Sequence, residues 1–455
     1  MYIKREQTKK KLEEQETFST FNFQLSIKEM NIKRGQIKEN GKNKKHFQFS
    51  TFNFQLKKFI ERIVEGLFTL SGGLTSLAIL LIIVFLFKEG AGLFNSPTVE
   101  NGYALCVNAT NSVEELNPYQ IKHVFDSDIT EWSELGGNNE EIMLFRFDEI
   151  FSFYSDEELG EDYELLPEKL GEVIAQNPNI IAFLPIKYIP ENNNQVKILP
   201  STNISLADFF GGIEWMPTAT PSPLFGVLPL ILGTLWVSIF AILIALPLGL
   251  GVAIYMSELA SERVRKILKP TIELLAGIPS VVYGFFGLVV LVPLLQRALD
   301  LPVGETALAG SLILAVMALP TIITVAEDAM RNTPRAMREA SLALGATQWQ
   351  TIYKVIVPYA ASGISAAVVL GIGRAIGETM AVLMVTGNAA VMPSSMFESV
   401  RTIPATIAAE LGEAPAGGAH YQSLFLLGCI LFLITMIVSI SAEVISKRQH
   451  KGIGV

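Results

Sequence analysis

Two opposite charges stand inside an apolar stretch that is long enough to cross a membrane. Arg374 and Glu378 are the only charged residues between Val355 and Met392. On a continuous helix, residues four apart share one face, so we expect this pair to point into the protein interior. Each charge, if isolated at a helix centre, would cost roughly 2.5–3.5 kcal/mol on insertion scales. The pair is either a cationic point that attracts an anionic substrate, partly neutralised by the carboxylate, or a structural ion pair, in this chain alone or bonded to a partner subunit.

Polar side chains continue from this pair toward the far end of the segment, where Thr379, Thr386 and Asn388 follow. Hydroxyl and amide groups beside a cation can hydrogen-bond an oxyanion. We therefore place Arg374, Glu378, Thr379 and Asn388 on a candidate substrate pathway. Hydrogen bonds that pack membrane helices together are the alternative role for the hydroxyl and amide groups.

A second group of residues lies on the segment EASLALGATQWQTIYKVIVP, residues 339–358. Ala336, Ala340 and Leu344 recur at intervals of four, and Gly345 suits the left-handed residue that follows a helix end. The spacing predicts a short helix with a shallow apolar stripe, suited to a groove in another protein. An ordinary helix between two spans is the alternative.

The spacing from Glu339 through Gly345 to Pro358 resembles the EAA loop of ABC-transporter permeases, although Ser341 replaces the third alanine. The segments FGVLPLILGTLWVSIFAILIALPLGLGVAIYMSE, PSVVYGFFGL and GIGRAIGETMAVLMVTGN are similar to phosphate ABC-transporter permeases of the PstC type. That resemblance covers residues 224–445 and the first span. It implies a type I importer permease without enzymatic activity, whose ATPase-coupling residues are Glu339, Ala340, Leu344 and Gly345.

The resemblance also implies partners: a homologous permease of the PstA type, a dimer of PstB-type ATPases that binds ATP and Mg²⁺, and an extracytoplasmic phosphate-binding protein. The substrate would be inorganic phosphate. The chain itself has no GxxxxGK[ST] sequence and no histidines at metal-ligand spacing, so we expect no cofactor or metal in it. The alternatives are a permease for molybdate or sulfate, and a non-transporting membrane sensor that uses its external domain as a receptor.

Six apolar segments must position these residues. Half of the chain is hydrophobic and only 17% is charged, which is typical of a membrane protein. A span needs about 20 apolar residues, and the segments that qualify are Gly66–Phe87, Leu224–Ser257, Leu274–Gln296, Thr306–Ala326, Val355–Met392 and Tyr421–Ala442. We predict a mainly α-helical, multi-pass inner-membrane protein with six transmembrane helices.

Basic residues predict the orientation of these spans. Residues 1–62 contain 15 Lys and Arg, and the loops at 258–270 and 331–338 are also basic. The loops on the opposite side of the membrane contain few basic residues, with Arg297 in one and Arg401 in another. The positive-inside rule therefore places both termini in the cytoplasm, and the basic tail suits anionic membrane lipid rather than nucleic acid.

The region between the first two spans has the opposite charge, with 22 acids and five bases in residues 100–220, a net charge of −17. Its periodicity predicts a small α/β domain, with strands at Tyr103–Val107, Glu141–Phe147 and Ile180–Pro185 and helices at Asn117–Phe125 and Leu166–Gln176. The segments 121–146 and 177–189 resemble periplasmic phosphate-binding proteins. After Arg146, however, an acidic stretch replaces the Ser-Gly-Thr type loop that holds the oxyanion in that family. We expect this domain not to bind phosphate alone.

The predicted organisation is a basic, disordered cytoplasmic tail (1–62), a first transmembrane helix (63–95), an extracytoplasmic α/β insertion (96–222), a permease core (223–446) with its EAA-like loop at 331–358, and a cytoplasmic tail (447–455). The tail contains FSTFNFQL twice, at residues 18–25 and 49–56. This repeat fits a duplicated disordered segment, a partner-binding motif, or translated upstream sequence with the true start at Met30 or later.

Overall fold

The computed structural model describes residues 44–160, 162–189 and 194–451, with side chains described between 61 and 444 within those ranges. The described chain divides between residues 82 and 83 into two compact units. One helix, Lys44–Ala91, contributes to both units. Residues 44–62 are therefore helical and not part of a disordered tail. The rest of the predicted tail, residues 1–43, lies outside the described residues.

Five helical segments of the described chain are long and apolar enough to cross a membrane, and a pair of helices bent by 70° gives a sixth candidate. The five are Glu61–Asn95, Leu228–Leu259, Ser280–Leu299, Ala307–Arg331 and Ala419–Val444, and the bent pair is Gln348–Tyr359 with Ala361–Gly377. The prediction of six spans is confirmed when the bent pair counts as one. Numbered along the chain, the bent pair is then the fifth span and Ala419–Val444 the sixth and last. The last helix continues to Lys451, so residues 447–451 of the predicted carboxy-terminal tail are helical.

Shorter helices connect and complete these spans. They are Glu262–Ala276, Arg335–Ala343, Met380–Val385 and Ile403–Glu410. Three π-helical turns interrupt the membrane helices, at Tyr255–Leu259, Gly287–Leu291 and Ile352–Ile356.

The fourth span packs closely against its neighbours through glycines. A Cβ atom added to Gly249 of the second span would lie 2.8 Å from Ile322 Cγ2, and one added to Gly371 of the fifth span would lie 2.8 Å from Ile322 Cγ1. The Ile322 side chain thus fits between two helices that lack side chains at the contact. This packing fixes the turn of the fifth span that precedes Arg374.

The region after the first span contains a four-stranded sheet. Its strands are β1 (Tyr103–Asn108), β2 (Met143–Arg146), β3 (Ile180–Pro185) and β4 (Val196–Ile198), in the order β2-β3-β1-β4. Strand β1 is antiparallel to β3 and β4, whereas β2 and β3 are parallel. The helices are Pro118–Phe125, Asp156–Leu159, Leu166–Gln176 and Leu206–Gly211.

Both faces of this sheet are covered. On one face Cys106 and Ala182 pack with the buried side of helix Leu166–Gln176, and on the other Leu105 and Ile181 pack with Trp132. Every buried member of these two clusters lies between residues 99 and 199. The predicted small α/β domain is confirmed, and we call residues 99–201 the sheet domain.

The chain that leaves the sheet domain packs on the membrane helices. Strand β5 (Trp215–Met216) pairs with β6 (Leu224–Phe225). The side chains of Phe209, Trp215 and Phe225 share a buried cluster with Leu230 of the second span and Leu427 of the last. Residues 203–227, which we call the base, therefore attach the sheet domain to the membrane core.

Candidate functional site

The fifth span is broken at the position of the predicted charged pair. Helix Ala361–Gly377 ends at Gly377, and Glu378 adopts an extended backbone with φ −71° and ψ 133°. The chain becomes helical again only at Met380. The prediction that Arg374 and Glu378 share one helical face is therefore wrong, because Arg374 lies in the last helical turn and Glu378 lies outside it.

Glycine composition explains the break. Gly371, Gly373 and Gly377 fall within seven residues, and each glycine is about 1 kcal/mol less favourable in a helix interior than alanine. Non-helical backbone at membrane depth is tolerated where it is buried in protein or lines a polar cavity. The broken segment therefore fits a pathway wall better than a helix surface that faces lipid.

Arg374 and Glu378 do not pair with each other. Both side chains are half-buried, and among the described residues neither forms an ion pair or a side-chain hydrogen bond. The guanidinium does interact electrostatically with Tyr283 of the third span. The two side chains thus form no ion pair with each other in this chain. The pathway role, and the alternative of structural charges bonded to a partner subunit, both stay predictions.

The two polar residues that follow are held by local hydrogen bonds. The Thr379 hydroxyl donates to the Gly377 carbonyl at 3.4 Å, within the break itself. Asn388 has a positive φ of 54°, and its Nδ2 donates to the Leu383 carbonyl at 2.7 Å. The Asn388 amide thus closes the end of the short helix Met380–Val385, while its Oδ1 is buried without a partner in the described chain. Arg374, Glu378 and Thr379 come together at the break, and Asn388 lies one short helix further on.

The EAA-like segment forms an exposed helix, Arg335–Ala343, with no buried residue. Glu339 and Ala340 are exposed, and Leu344 is 89% exposed. Gly345 has φ +83°, which confirms the predicted left-handed position after the helix end. An apolar stripe that stands this far out of the chain is suited to a partner surface.

One ion pair and two hydrogen bonds connect this exposed helix to the membrane helices. Arg338 Nη2 lies 3.0 Å from Glu258 Oε1 at the end of the second span and donates to the Met330 carbonyl at 2.9 Å. Ser341, the residue that departs from the EAA pattern, places its hydroxyl 2.9 Å from the Thr351 hydroxyl. A push on the helix would thus reach the second, fourth and fifth spans.

A buried acid that was not predicted from the sequence forms a further ion pair near the end of the fourth span. Glu327, fully buried in the fourth span, accepts a hydrogen bond from Lys269 Nζ at 2.9 Å. The hydrogen bond from Lys269 to Glu327 raises the pKa of the lysine, which keeps it charged. The sequence did contain a signal for this residue, since Glu327 directly follows Ala326, the predicted end of the fourth span.

In the acidic stretch after Arg146, carboxylates accept hydrogen bonds from nearby backbone N–H groups. The backbone N–H of Arg146 donates to Glu149 Oε2 at 3.1 Å, and the N–H of Ser155 donates to Glu158 Oε2 at 2.9 Å. The hydrogen bonds from Ser155 lower the pKa of Glu158, so this carboxylate stays ionised. The Arg146 guanidinium lies over the Phe125 ring, 5.8 Å from its centroid.

Comparison with known proteins gives one family and several relatives. Residues 245–451 match the model of the binding-protein-dependent transport system inner membrane component family. The chain is 44% identical over 246 residues to a probable ABC transporter permease protein, YqgH, of Bacillus subtilis, covering 54% of this chain and 79% of the relative. It is 38% identical over 258 residues to the phosphate transport system permease protein PstC of Pasteurella multocida, covering 52% and 79%.

A solved structure of the MetNI methionine ABC transporter, in an inward-facing conformation, matches 49% of this chain and 94% of its own. The identity is 19% and the TM-score 0.37. The likeness of segments 121–146 and 177–189 to phosphate-binding proteins stays a prediction.

Proposed function

Because the chain belongs to the family of binding-protein-dependent transport system inner membrane components, we propose that it is the permease subunit of an ATP-driven importer of inorganic phosphate. It is a multi-pass inner-membrane transport protein, and both termini are proposed to lie in the cytoplasm. The observation that supports an anionic substrate is the half-buried, unpaired Arg374 at the break of the fifth span. Phosphate is favoured among anions by the name of the Pasteurella relative.

The proposed pathway runs past the break. Arg374 would attract the phosphate dianion, since charge-assisted hydrogen bonds from a guanidinium to phosphate oxygens are the strongest that side chains offer. Glu378, two residues from the Met380 helix, would keep the site from binding the anion too tightly, because a nearby carboxylate repels it. Thr379 and Asn388 Oδ1 would hydrogen-bond substrate or its water shell.

Transport also needs partners. An ABC importer permease works with an ATPase and a substrate-binding partner; we propose a second permease of the PstA type, a PstB-type ATPase dimer that holds ATP and Mg²⁺, and an extracytoplasmic phosphate-binding protein. The exposed helix Arg335–Ala343 would dock in the ATPase. Closure of the two ATPases on ATP would move this helix, and the Arg338–Glu258 ion pair would pass the motion to the second span.

Uptake by reconstituted vesicles tests the proposed function. Vesicles that carry this chain, its partner permease and the ATPase, supplied with the phosphate-binding protein, should accumulate labelled phosphate only when ATP is enclosed. Unlabelled phosphate should compete, whereas sulfate and molybdate should not. Competition by either anion at equal concentration would assign the pathway to another oxyanion, and no ATP-dependent uptake of any of the three would favour a sensor.

Replacement of Gly345 by aspartate tests the coupling helix. Its positive φ is adopted by Asp and Asn more readily than by other residues, and no other atom lies within 4 Å of an added Cβ. We expect Gly345→Asp to insert normally but to lose at least about tenfold in ATPase association, because an unpaired charge enters a close contact. Co-purification of the ATPase with the tagged permease measures the loss.

Asparagine at the same position is the matched control, since it has the size of aspartate without the charge. Gly345→Asn should retain most of the association. Equal co-purification and equal uptake for wild type and Gly345→Asp would remove the docking assignment.

A further inference from the structure

One carboxylate joins the base of the sheet domain to the outer end of the proposed pathway. Glu410, the last residue of helix Ile403–Glu410, is largely buried and lies within hydrogen-bond distance of three nitrogens from separate parts of the chain. Trp215 Nε1 donates to Oε2 at 3.0 Å, Arg401 Nη1 donates to Oε1 at 2.7 Å, and His420 Nε2 lies 2.9 Å from Oε2.

The electrostatics keep Glu410 ionised. Burial raises the pKa of Glu410, but the hydrogen bonds with His420 and Trp215 and the charge of Arg401 outweigh burial and lower it overall. An ionised acceptor makes each of these hydrogen bonds charge-assisted and therefore stronger than a neutral one.

Arg401 connects this carboxylate to the broken span. Its Nε donates to the backbone carbonyl of Asn388 at 2.9 Å, and the next residue back, Val400, donates its N–H to the Thr386 carbonyl at 2.9 Å. Arg401 is itself held against the second span, where a Cβ atom on Gly233 would lie 2.3 Å from the Arg401 carbonyl oxygen. A shift of the guanidinium would therefore either move the chain at Asn388 or break this hydrogen bond.

Trp215 connects the carboxylate to the base. Its side chain is 2% exposed and meets the Phe225 ring edge-on at 5.9 Å between centroids. Next to it the backbones of Gly212 and Gly226 approach so closely that a Cβ atom on Gly226 would lie 2.4 Å from the Gly212 carbonyl carbon. The indole is thus held in the base. The sheet domain meets the base at the preceding residue, where His123 Nε2 lies 3.5 Å from Glu214 Oε1, so a displacement of the sheet domain would act on the chain at Trp215.

We propose that Glu410 is a positioning residue for transport: it couples the sheet domain, through Trp215 and Arg401, to the backbone of Asn388 at the outer end of the pathway. This inference rests on the proposed function. When a binding protein displaces the sheet domain, Trp215 pulls on Glu410, and the loop that carries Asn388 moves with Arg401. If these hydrogen bonds only stabilised the fold, movement of the sheet domain would not reach the loop that carries Asn388.

Trp215→Phe tests the coupling, since phenylalanine keeps an aromatic ring in the cluster and removes the indole N–H. In the complete transporter in liposomes, we expect stimulation of ATP hydrolysis by the phosphate-loaded binding protein to fall about tenfold at saturation, the size expected for one lost hydrogen bond to a charged group. The half-saturating concentration of binding protein should stay within about twofold, because docking itself is unaffected.

Trp132→Phe is the matched control. Trp132 is also buried, and its Nε1 donates to the Asn179 carbonyl at 2.8 Å inside the sheet domain, away from Glu410. Trp132→Phe should leave the stimulation of ATP hydrolysis by the binding protein near the wild-type level. Equal loss in both variants, or no loss in Trp215→Phe, would overturn the proposal.

A distance measurement separates this proposal from the proposed function, because it needs no substrate. Spin labels on Ser133→Cys in the sheet domain and Ser394→Cys in the loop before Arg401 report how the two parts are held in the assembled transporter. The native Cys106 and Cys429 are buried, and burial raises the pKa of Cys106 to about 12, so the introduced thiols react selectively. The distance distribution should broaden in Trp215→Phe and not in Trp132→Phe. Identical distributions would overturn the coupling even if phosphate uptake is normal.

Discussion

Arg374→Ala is expected to lower ATP-dependent phosphate uptake by about 100-fold while the transporter still assembles. Loss of a charge-assisted contact with a dianion of about 3 kcal/mol gives a change of this size. Assembly should not suffer, because Arg374 forms no ion pair or hydrogen bond among the described residues, and removal of a charge eases membrane insertion. Uptake in vesicles and the yield of intact complex are the two measurements.

Lysine at the same position should recover little of the uptake. Its ammonium is a compact charge and does not reproduce the planar fork that binds two phosphate oxygens at once. Arg297→Ala is the control: this arginine is exposed at the end of the third span, and its removal should change uptake by less than about threefold.

The opposite outcome would identify a structural role. If Arg374→Ala abolishes expression while Arg374→Ala/Glu378→Ala restores both expression and transport, the two charges balance each other in the assembled complex. The pathway assignment would then fail, although the pair does not meet in this chain.

Periodic signals in the sequence predicted most of the architecture correctly. Strand Ile180–Pro185 and helix Leu166–Gln176 have the predicted ends, because the strand is a short apolar run buried on both faces of the sheet and the helix repeats apolar residues on the one face that packs on it. The left-handed Gly345 was predictable for a similar reason, since glycine after an apolar repeat is a local signal. Local patterns sufficed where neighbouring residues determine the conformation.

Features that depend on distant residues were not predicted. The break at Gly377 was not predicted because the apolar segment around it is long enough to form a continuous span. Hydropathy measures how apolar a segment is and does not show that three glycines weaken its helix. Glu410 is one acid among many in the sequence, and its donors Trp215 and His420 lie far from it along the chain. Only the fold brings them together, so their role could be argued only from distances.

Excision of the sheet domain is expected to lower delivery of phosphate by the binding protein at least about tenfold while the spans still fold. The ends of the domain suit this cut, since Thr98 N–H donates to the Thr202 carbonyl at 2.9 Å and Pro97 pairs with Asn203. A linker of a few Gly and Ser residues can therefore replace residues 99–201. The buried cluster that holds the base includes no residue from the excised range, so thermal stability of the remaining protein should change little.

Calorimetry on the excised fragment decides what the domain contributes. The fragment contains both clusters that cover its sheet, so it has a core of its own. We expect no heat of binding with millimolar phosphate, because the stretch after Arg146 is acidic and its backbone N–H groups at Arg146 and Ser155 already bond to Glu149 and Glu158. The acidic surface also repels a dianion within a Debye length of about 8 Å at physiological salt. We therefore predict that the domain is a docking cap for the binding protein and not a phosphate receptor; micromolar phosphate affinity of the fragment would make it a tethered receptor instead.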